Sequence, residues 1–245
     1  MEYIYAVAHE GELAEYRRFT ARTEGRLAGY LEFLKARYRV SELPRAIVWA
    51  GRETATRLFS DLPVPAYTNE YRVVFCPVLA AWQDIYLRQL DGMEGCGALE
   101  RYYRERLSEN HVLQILGHEL AHHSDHFPDE WDGERGGVWF EEGMAEYISR
   151  SYFLTGQEYA EALEQNRALV KLLGPRYGAG SLEDFGEGTY QEGYAGIFFA
   201  YWRSFLAVHR LVEEAGGDTG QVFASYRRWQ KAGPGTALAQ WFGLE

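Results

Sequence analysis

Ten residues, Gly117–His126, read GHELAHHSDH and hold four of the chain's seven histidines. His118 and His122 are four apart. On a helix that is about 400° of rotation, so both imidazoles share one face, about 6 Å apart along the axis. Two imidazoles so placed can reach one zinc ion at roughly 2.0–2.1 Å each. Glu119, beside the first histidine, is then placed to face an attacking water rather than the metal. The stretch is an H-E-x-x-H motif. A solvated polar face could match the pattern by accident. The preceding VLQIL (112–116) is apolar, however, and sets the helix against a core.

The other histidines of the stretch fit one ion poorly. His126 lies about 12 Å along the axis from His118. It also precedes Phe127-Pro128, where a helix should end. His123 points about 100° away from His122. Both read as surface or supporting residues. An H-E-x-x-H-x-x-G-x-x-H pattern is excluded, since Asp125 and Pro128 stand where it needs glycine and histidine.

A third ligand should come from another helix. VWFEEGMAEYIS (138–149) places Glu142 and Glu146 four apart on one face, with Phe140, Met144, Tyr147 and Ile148 on the apolar side. One carboxylate can bind the metal. The other, one turn on, can accept a hydrogen bond from a ligand histidine and fix its tautomer. Acids around Gly143 in so aromatic a helix do not suit a solvated face.

HELAH followed about twenty residues later by WFEEGMAEY resembles the gluzincin metallopeptidases, whose pattern is H-E-x-x-H, a spacer, then an aromatic residue and E-G-x-A. The resemblance covers roughly 108–208. It implies one Zn²⁺ per chain, held by His118, His122 and Glu142, with Glu119 as general base and Glu146 as the partner of a ligand histidine. Gluzincin aminopeptidases commonly have eighteen residues between the second His and the Glu, which would point to Glu141. Nineteen precede Glu142, which is preferred because it adjoins Gly143 and pairs with Glu146. Further on, Thr189 and Glu192 are spaced as a capping box, so a helix is expected to begin there. Tyr190-Gln191-Glu192-Gly193 is similar to the Y-x-x-G stretch whose tyrosine stabilises the oxyanion in those aminopeptidases. That implies the role for Tyr190, with Tyr194 as runner-up.

The elements that must hold these residues begin with a small sheet. YIYAV (3–7), AIVWA (46–50) and YRVVFCPVL (71–79) read as strands, and Pro77 puts the end of the third at a sheet edge. That strand resembles the edge along which zincins align an extended peptide as an added strand. Helical periodicity covers 11–39 and then 99–126, 139–155, 157–173, 189–214 and 219–231, with a short helix over 52–60. LPVPAYTN (62–69) reads as turn. Residues 80–98 show no clear period, and Gly92, Gly95 and Gly97 mark a loop. The expected fold is α+β: one zincin-like domain, 1–245, with a small N-terminal mixed sheet and helices, then a mainly helical half. A subdomain boundary is expected near 95, with the zinc site in 96–245.

The net charge of −11 excludes nucleic acid and anionic membranes as partners. The longest apolar stretch, Tyr194–Val208, is too short to span a bilayer and contains Arg203. The N-terminus lacks the basic start and apolar run of a secretory signal. Cys76 and Cys96, with no CxxC spacing, are expected as free thiols in a reducing cytoplasm. The expected function is zinc-dependent hydrolysis of peptide bonds in a peptide or protein substrate. The alternative is an inactive zinc-binding module of the same fold, which the presence of Glu119 argues against.

Overall fold

Tyr16, Phe19, Thr20, Thr23, Leu27, Tyr30, Leu34 and Tyr38 recur every one to four residues along one helical stripe, and they are the buried face of α1 (Glu10–Tyr38). His9 caps this helix by accepting the Glu12 amide through Nδ1, at 3.3 Å. The computed structural model that shows this describes residues 1–60, 62–127, 137–233 and 235–245. Pro128 lies outside them.

The fold is α+β. β1 (Glu2–Ala6), β2 (Ala46–Ala50), β3 (Ala66–Thr68) and β4 (Arg72–Phe75) form one sheet in the order β1-β2-β4-β3. β2 pairs in parallel with β1 and β4, and β3 is antiparallel to β4. Every residue of β2 is buried, as its unbroken apolar run requires of a central parallel strand. Trp49 packs edge-on against Phe75 and tilts against Phe19 of α1.

β4 therefore lies inside the sheet and not at its edge. The expectation fails because the segment read as turn supplies a further strand, β3. Asn69 makes the tight reversal: its Oδ1 accepts the amides of Tyr71 and Arg72, each at 3.0 Å. β3 covers β4 and is itself an edge strand, with β1 at the other side. The unclear stretch after 79 also has structure, α3 (Leu79–Arg88), which buries Trp82 and Ile85 three residues apart.

α2 (Arg52–Arg57) is shorter than expected. The helix expected over 99–126 is two, α4 (Gly97–Glu105) and α5 (Glu109–Ala121). Ser108 breaks it. Its hydroxyl accepts the Asn110 amide, and its own amide donates to His111 Nδ1 at 3.1 Å. Histidine thus plays the part that Glu or Gln plays in a usual capping box. α6 (Val138–Phe153), α7 (Gly156–Tyr177), α8 (Tyr194–Glu214), α9 (Thr219–Ala232) and the short α10 (Leu238–Trp241) complete the chain.

The start of α8 also differs from expectation. Thr189 lies in a 3₁₀ turn, Glu187–Gln191, and its hydroxyl accepts the Gly186 amide at 3.2 Å. Gly193 is the N-cap of α8, and Glu192 before it has extended backbone. Thr189 and Glu192 therefore do not cap one helix.

The described residues pack as two units. The first is Met1–Phe127 with Ile148–Leu154, and the second takes the earlier part of α6 together with Thr155–Glu245. The seam runs through α6 rather than near 95, because α3 and α4 pack with each other and α5 packs on both α1 and the sheet.

In the second unit α6 crosses α8 at Gly143. A Cβ there would lie 2.3 Å from the Ser204 carbonyl oxygen and 2.8 Å from Val208 Cγ2. Alanine in an open helical position such as Gly25 of α1, with nothing within 4 Å, should stabilise by up to about 1 kcal/mol. At Gly143 the neighbour is backbone and cannot swing aside. Gly143→Ala is therefore expected to lower stability by about 1–3 kcal/mol against Gly25→Ala as the contrast, read from urea unfolding midpoints.

Candidate metal centre

α5 presents the histidines. It is buried on every side from His111 to Ala121, polar residues His111, Gln114, His118 and Glu119 included. Tyr30 of α1 donates to the Gly117 carbonyl at 2.8 Å, which fixes the turn just before His118. His122 is the C-cap and keeps helical backbone, so the helical spacing holds from His118 to His122. The two Nε2 atoms are 3.1 Å apart, and the rings meet at 76°.

α6 presents the carboxylate. Its later turns pack in the first unit, where Gln114 donates to Ser149 at 3.1 Å. Gly117 lets the two helices close. A Cβ on it would lie 2.5 Å from the Phe153 ring and 3.2 Å from Ser149 Cβ. Earlier on α6, Glu142 stands one residue before Gly143.

One nitrogen each from His118 and His122 and one oxygen from Glu142 lie within 4.8 Å of one another. Two atoms ligating one zinc at tetrahedral angles sit about 3.3 Å apart. The 3.1 Å between the histidine nitrogens is close to that edge. Two imidazoles and one carboxylate also form the donor set of zinc sites that keep a fourth position open. The residues therefore fit the ion.

Glu141 is occupied elsewhere: its Oε1 accepts from the Tyr226 hydroxyl at 2.7 Å. Glu119 lies buried on α5 directly after His118. Glu146 is half-buried, one turn beyond Glu142. His123 is half-buried and plays a supporting part. It shares a 2.8 Å hydrogen bond with Thr68 of β3, tying the end of α5 to the edge strand. Burial, and secondarily the neighbouring His122, pushes its pKa down to about 4. The His126 amide donates to the Ser124 hydroxyl in the turn after α5.

Tyr190 sits in the 3₁₀ turn and not in the first turn of α8. Its hydroxyl is 2.7 Å from that of Tyr201, and its ring tilts against Phe185. Tyr194 opens α8 and stacks on Phe198. The residues that sequence reasoning missed are Gly117 and the Gln114–Ser149 pair, which join α5 to α6, and Tyr226 of α9, which holds Glu141. A glycine directly before the H-E pair was the one visible signal. No helix among the described residues is long and apolar enough to cross a membrane. No protein-family model, curated protein or solved structure matches this chain.

Proposed function

We propose that this protein is a zinc-dependent hydrolase of peptide bonds. The observation that carries the proposal is the grouping of His118, His122 and Glu142 within 4.8 Å, with Glu119 buried on the same helix as the histidines. Those three residues would hold the ion. When bound, zinc lowers the pKa of a water toward neutrality and polarises a carbonyl. Glu119 would take the proton of the attacking water and deliver it to the leaving amine. Helices fixed by packing suit this chemistry, because a misplacement of about 1 Å can cost about 10² in rate.

An extended peptide would lie along β3, the edge strand that His123 joins to α5. A thiol mechanism has little support. Burial pushes the Cys76 thiol up to about 11, the wrong direction for a nucleophile. Both cysteines are free, which favours a reducing compartment such as the cytoplasm.

The test is digestion of a peptide library by purified protein, with and without a zinc chelator. Cleavage that the chelator stops and added zinc restores is the expected result, and the position of the cut separates exopeptidase from endopeptidase. Cleavage indifferent to the chelator would overturn the proposal.

A further inference from the structure

Glu141 and Glu142 differ by about 100° around α6. The rotation of that helix about its own axis therefore decides which carboxylate is turned to the histidines. Near its start, α6 meets a charged group from far along the chain. Glu183, in the 3₁₀ turn Leu182–Asp184, accepts the Gly137 amide through Oε2 at 3.2 Å. Its Oε1 accepts the Trp139 indole at 3.0 Å and the Ala239 amide at 2.8 Å.

Each contact answers a need. The first amides of a helix have no intrahelical partner, and Gly137 directly precedes Val138. A carboxylate at a helix N-terminus also meets the positive end of the helix dipole. Trp139 is completely buried, so its indole N–H requires an acceptor. The Ala239 amide belongs to α10, so one carboxylate joins the starts of two helices. The backbone donor at 137 and the side-chain donor at 139 together restrain both the position and the rotation of α6's first turn. Glu142 follows within about 8 Å along the axis.

We infer that Glu183 is a positioning residue for the metal centre: it sets the rotation of α6 so that Glu142, and not Glu141, is turned to His118 and His122. This rests on the zinc reading above. It is tested on the full chain by titration with Zn²⁺ alone and by the visible spectrum of the Co²⁺-loaded protein. Glu183→Ala is expected to weaken Zn²⁺ affinity by about tenfold or more, the lower range for loss of a residue that orients a ligand. It should also alter the Co²⁺ bands. Glu183→Gln retains one acceptor oxygen and should fall between, which keeps the test open if the alanine variant fails to fold.

Asp218→Ala is the control for general loosening of this unit. It removes the side chain that caps α9, and should lower the unfolding temperature while leaving Zn²⁺ affinity and the Co²⁺ spectrum unchanged. Glu183 variants with parent affinity and spectrum would overturn the inference. So would an Asp218→Ala protein that loses affinity equally. Failure of the parent protein to take up either ion would remove the zinc reading and this inference with it.

Discussion

Glu119→Gln is expected to keep bound zinc and the fold but to lose hydrolysis by roughly 10²–10⁴, the usual range for a general acid–base group. Gln is nearly isosteric with Glu, so the buried position on α5 stays filled. What disappears is the capacity to accept a proton from water. Retained zinc with lost turnover would separate this role from a structural one. A variant working near the parent rate would remove Glu119 as base. If the parent binds zinc yet cuts no peptide, the inactive binding module becomes the better account.

His118→Ala and Glu142→Ala are each expected to reduce zinc from about one ion per chain to near none, while Glu141→Ala retains it. The contrast between the adjacent glutamates is the sharp part. Glu142 belongs to the group that could hold a metal, whereas Glu141 accepts from Tyr226. Loss of that hydrogen bond should cost about 1 kcal/mol of stability without touching the metal. The ligand variants should lose zinc-dependent stabilisation instead, about 2.7 kcal/mol at zinc one hundred times Kd. Metal analysis of the purified variants, with melting curves in the presence and absence of zinc, reads both effects. Zinc lost from Glu141→Ala and kept in Glu142→Ala would reverse the assignment.

The histidine pair was legible because it is local. Four residues on one helix share a face whatever surrounds them, and the apolar run 112–116 already placed that helix in a core. The acidic helix was legible for the same reason, with Glu142 and Glu146 four apart on one face. Tyr190 shows the limit. A Thr and a Glu three apart resemble a cap, yet Gly193 starts α8 and the Thr189 hydroxyl serves a 3₁₀ turn. Capping depends on which backbone amides are left open, and a spacing of letters does not contain that.

By itself the sequence determined the α+β class, the small sheet ahead of the helices, and the residue types that could hold a metal. Each follows from short-range periodicity: two for strands, 3.6 for helices. Tertiary structure decided that β3 and not β4 is an edge, since β3 has only three residues and too short a pattern to announce itself. It also decided where helices stop, and how α6 is turned about its own axis. That rotation is held by contacts far apart in the chain: Ser204 against Gly143, and Glu183 at the first turn. No local period records such contacts, because they exist only once the helices have packed.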